Sequence, residues 1–320
     1  KAFLASQALG ARMFHPAWGL NSRHYYRDFS TSRLDWLVQR AIKTVMPVVR
    51  FDEVDYQATG KCDFEEAILH FATNELHHRH GYVLSVGGMW GGFRAIRKAR
   101  TFILAELLKA RQAVENVHSV MRQVAPNKIL VGVHIRRGDF QNTECISDFR
   151  GRFNAALPLD WYLATCRSLK REFVNNIQFL LLTDAAPLDV KPFIDEFSPL
   201  TTFHLRHTAC SDLLMLALSD GLVCSVSSYS MWGAFLSGAP YLWFSPNVQE
   251  HGDYGSLWGH EASQQAPAGV TERNLDYVRK ADVSSTEAYL HRGVLVDLSG
   301  TVPDAFCKRL AAGQRERLIE

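Results

Sequence analysis

Several features of common protein classes are missing from this sequence. No apolar run reaches the roughly 18 residues that a membrane-spanning helix requires. The six cysteines are scattered, without a Cys-x-x-Cys pair or the spacing of a zinc site, and there is no Asn-x-Ser/Thr sequon. Together these absences favour a reducing, cytoplasmic compartment, because disulfides and N-linked glycans belong to secreted proteins.

Charge of one sign is not in excess, and the common nucleotide-binding motifs are absent. Lys and Arg number 35 against 33 Asp and Glu, which gives a net charge of +2. A balance this even does not favour a nucleic-acid or membrane-surface partner. There is also no Gly-x-Gly-x-x-Gly after the first strand, no Walker A sequence and no Asp-x-Asp pair. An anionic ligand would therefore need positive charge that is concentrated locally.

The apolar pattern predicts two domains, over residues 1–127 and 128–320. In the second, short apolar runs alternate with helical patterns, which is typical of a doubly wound α/β fold with a parallel sheet. Strands are predicted at 129–135, 177–183, 201–205, 221–226 and 240–244, and helices at 159–173, 190–197, 212–218 and 229–236. Ligands of such sheets bind beyond the carboxyl ends of the strands, so motifs at those ends are the candidates for function.

The first domain has more mixed signals. The pattern predicts helices at 1–10, 64–76 and 101–124, and strands at 11–14 and 81–86. The opening residues read as a helix interior rather than a signal peptide, so we expect residues upstream of Lys1. His77, His78 and His80 diverge around a helix end, which favours a solvated end over a metal site.

The most informative segment is His134–Asp139, with the sequence His-Ile-Arg-Arg-Gly-Asp, which begins inside an apolar strand and runs off its carboxyl end. Alternation along the strand places His134 and Arg136 on one face and Arg137 on the other. Arginines at the end of a buried strand need partners, and a guanidinium matches phosphate oxygens in geometry and charge. A structural ion pair, such as Arg137 with Asp139, explains the same residues equally well.

This motif resembles the signature of the α-1,2-fucosyltransferase family, and it is similar to the His-x-Arg motif of α-1,6- and protein O-fucosyltransferases. The apolar run that ends in Thr183-Asp184 resembles the second family segment, and the segment from Asp212 to Ser228 resembles the third. The resemblance covers residues 78–245. One departure is the glycine-rich loop that usually precedes the family's first helix, because the helix at Lys1 begins without it.

The resemblance implies a GT-B-like α/β fold, with two Rossmann-like domains facing a cleft. The C-terminal domain would bind the donor, and its last helices would pack back on the first domain. The implied reaction is an inverting transfer of L-fucose from GDP-fucose to a glycan acceptor, most simply the 2-OH of a galactose, without a metal or other cofactor. Arg136 and Arg137 would bind or support the donor pyrophosphate, with His134 near the ribose or phosphate.

The same resemblance implies the remaining donor-site residues. Asp212 would accept hydrogen bonds from the guanine edge, and Ser227 and Ser228 would hold phosphate oxygens. The serine role has physical support of its own, since the amino terminus of a helix binds anions. Thr183 and Asp184 complete the set. Each residue also has a plainer interpretation, with Asp212, Ser227 and Ser228 as helix caps and Asp184 as the cap of the following turn.

Candidates for the base and for the acceptor contact are weaker. Asp139 lies in the motif and could accept the hydroxyl proton, although orienting an arginine is the better interpretation of its position. Glu144 and Asp148 follow in a polar stretch. Trp90, in the glycine-rich loop 87–93, is the candidate for stacking on the acceptor sugar, and burial in the core is the alternative.

Alternatives to this function stay open. A catalytically inactive relative that binds GDP-sugars would keep Arg136 and Asp212, and a fucosyltransferase of α-1,6 or protein O-linkage would use the same donor. A nucleotide-binding enzyme unrelated to sugars is disfavoured because its usual motifs are missing. The expected location is the cytoplasm of a bacterial-type cell, with or without membrane association. The alternative location is the Golgi lumen, for a chain that has lost its anchor.

Overall fold

The computed structural model describes residues 1–14, 29, 32–61, 63–87, 92–143, 145–149, 152, 155–247, 249–251, 254–256 and 293–312. These residues form two compact units that divide between Arg111 and Gln112. The sequence pattern placed the division at 127/128. The difference is the helix Arg111–Met121, nearly all of which groups with the second unit.

The described part of the first unit contains six α-helices and one pair of parallel strands. The helices are α1 (Ala2–Leu9), α2 (Arg33–Val45), α3 (Glu53–Ala58), α4 (Phe64–Phe71), α5 (Gly92–Ala95) and α6 (Arg100–Leu107), and the strands are β1 (Val48–Phe51) and β2 (Val83–Val86). Asp52 and Asp63 cap α3 and α4, since their side chains accept hydrogen bonds from backbone N–H groups of the first turn.

Two predictions for the helices and strands up to residue 124 are wrong. Residues 11–14 pair with no described strand, because the chain leaves α1 through Gly10, in left-handed conformation at φ 60°, and stays bonded to the helix end. The predicted helix 64–76 is confirmed, as an α-helix to Phe71 that continues as a π-helix over Ala72–Leu76. The predicted helix 101–124 is interrupted after Leu107. Its first half buries no side chain, whereas its second half buries apolar side chains in the other unit.

The second unit is built on a six-stranded, fully parallel sheet. Its strands are β3 (Ile129–Ile135), β6 (Ile177–Thr183), β7 (Leu200–Thr201), β8 (Gly221–Val223), β9 (Tyr241–Phe244) and β12 (Val294–Val296), in the order β12-β9-β8-β3-β6-β7. Small pairs lie outside it: β4 (Gln141–Asn142) with β5 (Ala155–Ala156), and β10 (Gln249–His251) with β11 (Tyr254–Ser256). The helices are α7 (Arg111–Met121), α8 (Leu159–Phe173), α9 (Lys191–Phe197), α10 (Ala209–Leu218), α11 (Ser228–Ser237) and α12 (Asp304–Ala312).

The strand order creates a topological switch point beside β3. From β3 the chain proceeds outward through β6 and β7, and then crosses back to place β8 on the other side of β3. Val131 of β3 pairs with Phe179 of β6 on one side and with Gly221 of β8 on the other. The connections on the two sides therefore leave β3 in opposite directions, and this topology is expected to leave a crevice between the loops beyond β3 and β8. Ligands of open parallel sheets bind in such a crevice.

Burial explains why the sequence pattern located the central elements. All seven residues of β3 are buried, and β3, β6 and α8 have the predicted bounds. A predicted strand at 221–226 ends at Val223, because the backbone N–H of Ser225 donates to the Ser230 hydroxyl instead of a ladder partner. A predicted strand at 201–205 shrinks to Leu200–Thr201, because the chain turns at once, with Leu205 N–H donating to Thr202 O.

The last described helix packs on the sheet of its own unit. Leu310 of α12 is fully buried, and a Cβ added to Gly221 of β8 would lie 2.7 Å from its Cδ1. Described contacts therefore place α12 on the sheet of the second unit, and the expectation that the last helices also pack on the first domain stays a prediction. No described helix is long and apolar enough to cross a membrane.

Candidate functional site

Polar side chains gather where β3, β6 and β8 end, at the switch point. His134 occupies the penultimate position of β3, and its buried ring reaches across to the loop that follows β8. Its Nδ1 atom lies 2.6 Å from Ser230 Oγ and 3.1 Å from Ser225 Oγ. Ser225 Oγ lies a further 3.0 Å from Ser227 Oγ. One histidine and three serines thus join the two strands that flank the crevice.

His134 is neutral at physiological pH. Burial, assisted by the nearby Arg136, lowers the pKa of His134 to about 4, against the opposing effect of Asp184. The ring is 4% exposed and its Nδ1 is occupied by serine hydroxyls. His134 is therefore placed to hold the loop after β8 through Ser230. The family resemblance implies a position near the ribose or phosphate of the donor, and that role stays a prediction.

The serine cluster organises the amino terminus of α11. Ser227 is the N-cap, with its Oγ accepting a hydrogen bond of 3.1 Å from the backbone N–H of Ser230. This confirms the capping interpretation of Ser227. Ser228 opens the helix and is exposed to solvent. The amino terminus of a helix carries partial positive charge, so an anion beside Ser228 would be stabilised.

Arg136 is held by two carboxylates. One of its Nη atoms lies 2.9 Å from Asp139 Oδ1 and the other lies 2.9 Å from Asp184 Oδ2. The structural ion pair that the sequence suggested therefore exists, but Arg136 rather than Arg137 is the partner of Asp139. Because two acids share one guanidinium, Arg136 is neutralised in place, and its role is to order the loop after β3.

Asp184 joins the ends of β3 and β6. While Oδ2 pairs with Arg136, Oδ1 accepts a hydrogen bond of 2.8 Å from the backbone N–H of Arg137. Gly138 leaves room for this arrangement, since a Cβ at that position would overlap Asp184 Oδ2. Thr183, beside it, caps the turn through a 3.0 Å hydrogen bond from Ala185 N–H to its Oγ1. The carboxylate thus sets the conformation of the loop that carries Arg137.

Of the two arginines in the motif, Arg137 is the one whose guanidinium has no partner among the described residues. Its side chain is half-buried, and among the described residues its guanidinium makes no hydrogen bond or ion pair. The nearby Tyr162, on the first turn of α8, is fully buried, and its hydroxyl has no hydrogen-bond partner among the described residues. Burial raises the pKa of Tyr162 far above its ordinary value, while Arg137 opposes that change. Within the described part of the chain, a guanidinium and a hydroxyl without hydrogen-bond partners therefore lie near each other.

Asp212 lies on the first turn of α10, at the same edge of the sheet. It is 8% exposed, and its Oδ1 has no hydrogen-bond partner among the described residues. Burial raises the pKa of Asp212 to about 7, while Thr208 and Thr202 act in the opposite direction. The Tyr229 hydroxyl donates to Ala209 O on this turn, and its ring centroid lies 5.0 Å from that of His134. Tyr229 thus connects Asp212's helix to the cluster.

The structure therefore brings most of the predicted residues to one edge of the sheet. The exceptions are Trp90 and Glu144, which lie outside the described residues. His77 and His78 have adjacent rings, but no set of three or more potential metal ligands occurs in the part of the chain that the structure describes. Sequence reasoning missed Tyr162, Ser225 and Ser230, and Ser225-x-Ser227-x-x-Ser230 after an apolar strand was the available signal for two of them.

Comparison with known proteins adds little to this geometry. No protein-family model and no curated protein matches the chain. Among solved structures, it is similar to the wall teichoic acid polymerase TagF, at 13% sequence identity and a TM-score of 0.32. The alignment covers 68% of this chain and 52% of the polymerase, so the chain spans about half of that structure. A similarity this distant does not indicate what the chain acts on.

Proposed function

We propose that the chain is a glycosyltransferase whose second unit binds GDP-fucose, and that it transfers L-fucose with inversion to a glycan hydroxyl, most simply the 2-OH of a galactose. The observation that carries this proposal is the half-buried guanidinium of Arg137, which has no partner among the described residues and lies at the switch point, where α11 also begins. Both features stabilise a bound pyrophosphate. The proposal includes a GT-B-like architecture in which the first unit serves the acceptor.

Charge stabilisation at the leaving group is the proposed source of catalysis. As the bond between the anomeric carbon and the β-phosphate oxygen breaks, negative charge grows on the GDP. Arg137 would neutralise that charge, and Arg136, Asp184 and Asp139 would hold the loop in position. Ser227 and Ser228 would contribute through the helix that they begin. No metal ion is required by this scheme, since arginine supplies the positive charge.

No residue of the motif is placed to accept the acceptor's hydroxyl proton as a strong base. Asp139 is exposed and paired with Arg136, and His134 is buried with its Nδ1 bonded to serines. Orienting an arginine is thus the better role for Asp139. We propose that a transition state with oxocarbenium character leaves the acceptor proton to be lost late, to solvent or to a phosphate oxygen.

Guanine recognition is assigned to Asp212, and this assignment predicts a pH dependence. A guanine edge donates N–H groups, which require the charged carboxylate, so GDP binding must displace the proton that burial retains there. With a pKa of about 7 in the free protein, GDP affinity should rise about fivefold from pH 6 to pH 7 and about tenfold in total by pH 8, where it begins to level off. Calorimetry of GDP binding across this range tests the slope, and Asp212→Asn should remove it. An identical slope in the variant would exclude Asp212.

The raised pKa of Asp212 also affects the stability of the free protein, which falls with rising pH while GDP affinity increases. The folded protein retains a proton that the unfolded chain releases above pH 4, so this carboxyl destabilises the fold as the pH rises towards 7. Asp212→Asn should therefore stabilise the free protein at pH 8, although it weakens GDP binding there. Denaturant-induced unfolding at pH 8 measures the change in stability, and calorimetry of GDP binding at the same pH measures the change in affinity.

The transfer itself is tested by measuring GDP release from GDP-fucose against galactose-terminated acceptors, with and without EDTA. GDP-mannose serves as the control donor. Acceptor-dependent release from GDP-fucose alone, unchanged by EDTA, is the expected result. Failure to bind GDP-fucose at all would overturn the proposal.

A second candidate is a GDP-sugar-binding protein without transferase activity. The observation that favours it is the engagement of His134 and Asp139 by other side chains, which leaves the motif without a free base. This candidate predicts GDP-fucose binding that depends on Arg137, with no release of GDP for any acceptor in the panel.

A further inference from the structure

The first unit carries an amphipathic helix that packs poorly on the rest of the described chain. Helix α2 begins after Ser32, whose hydroxyl oxygen caps it by accepting from Asp35 N–H, and ends at Val45. None of its 13 residues is buried. Apolar helix faces in folded proteins usually pack against another element. A helix with its own cap and no buried residue therefore presents a face that is free to bind something else.

The exposed face is an unbroken apolar stripe. Leu34, Leu37, Val38, Ala41, Ile42 and Val45 follow the i, i+3, i+4, i+7, i+8, i+11 spacing of one helix face. Five of them are exposed, Ala41 and four larger residues: Leu34 by 72%, Leu37 by 55%, Val38 by 40% and Val45 by 83%. Isolated exposed apolar residues are ordinary, but a contiguous stripe of this kind marks an interaction surface.

Basic residues accompany the stripe. Arg33, Arg40 and Lys43 lie on other sides of the helix and are exposed, and the Arg40 guanidinium lies 5.3 Å from the ring centroid of Trp36. Asp35 is the helix's acidic residue, and Arg12 lies 4.0 Å from its carboxylate. The surface therefore combines apolar contact area with net positive charge.

We propose that α2 is a membrane-surface helix that lies flat on an anionic bilayer, with Leu34, Leu37 and Val45 inserted among the acyl chains. The observations favour a bilayer over a protein partner because the surface is a convex helix rather than a groove. The positive charge beside its apolar stripe matches anionic head groups. With 13 residues, α2 spans about 20 Å and is too short to cross a bilayer. This surface belongs to the first unit and is independent of the proposed donor site.

The test is sedimentation of the full chain with vesicles of phosphatidylcholine alone or with 30% phosphatidylglycerol. Binding to the anionic vesicles, weakened by salt, is the expected result. Leu37→Glu should reduce the partition coefficient by at least about tenfold, because it removes an inserted side chain and adds a repelled charge. Arg40→Glu should reduce it by at least about tenfold as well, since it reverses one charge. Leu188→Glu is the matched control, because Leu188 is an 80% exposed leucine of the second unit.

Three outcomes would overturn the proposal. The first is an absence of binding to either vesicle. The second is binding that Leu188→Glu reduces as strongly as Leu37→Glu. The third is self-association of the chain in the absence of lipid that Leu37→Glu abolishes, which would assign the stripe to a second copy. Circular dichroism and GDP binding of each variant verify that the fold is retained.

Discussion

Arg137→Ala is expected to lower the affinity for GDP and GDP-fucose by about 30- to 150-fold while the protein remains folded. A charge-assisted hydrogen bond contributes about 1.5–3 kcal/mol, so a fold-change of this size, about 2–3 kcal/mol, corresponds to the loss of one such bond to the pyrophosphate. Because the Arg137 side chain makes no hydrogen bond or ion pair among the described residues, and the alanine variant keeps the backbone N–H that donates to Asp184, the change costs the free protein little. Calorimetric titration with GDP, alongside a thermal melt, measures both quantities.

Two further arginine variants show whether the contribution of Arg137 to GDP affinity comes from its geometry or from its charge alone. Arg137→Lys keeps the charge but loses the two-pronged donor, so it should recover only part of the affinity. Arg167→Ala removes an exposed arginine that is 2.6 Å from Glu196 on the outside of the same unit, and it should leave GDP binding unchanged. A folded Arg137→Ala protein with wild-type GDP affinity would remove Arg137 from the donor site.

Asp184→Asn is expected to reduce fucose transfer by about 100-fold with only a modest loss of stability. The amide oxygen can still accept from Arg137 N–H, but the amide nitrogen faces the Arg136 guanidinium, where the carboxylate oxygen lies at 2.9 Å. The loop would then relax, and a displacement of about 1 Å in a catalytic group costs on the order of 100-fold. Steady-state kinetics should show this loss in kcat/KM.

Gly138 allows a sharper test of the same contact. Gly138→Ala alone should impair transfer, since the new methyl group overlaps the Asp184 carboxylate. In the double variant with Asp184→Ala, that overlap disappears, so the combined loss should be clearly smaller than the product of the single losses. Asp195→Asn, which breaks an exposed ion pair with Lys191 on α9, is the control. Independent, multiplicative effects would contradict the proposed coupling between Gly138 and Asp184.

Local sequence patterns were sufficient for the central architecture. The bounds of β3, β6 and α8 were predicted because these elements are buried and regular, so their apolar periodicity follows from local geometry. The position of the arginine motif at a strand end was predictable for the same reason. Apolar periodicity was less reliable from residue 1 to 124. There the α-helices are short, and several apolar side chains are exposed, as in α2.

Long-range contacts decided how the site works. The sequence placed Arg136 and Arg137 side by side, but only the fold shows that Asp184, 47 residues beyond Arg137, pairs with Arg136 and leaves Arg137 available. His134 meets Ser230, 96 residues away, only because β3 and β8 are neighbours in the sheet. The sequence by itself therefore determined which elements form and where the charged motif lies. The tertiary structure decided which charges are neutralised, because pairing depends on distances between strands that periodicity does not encode.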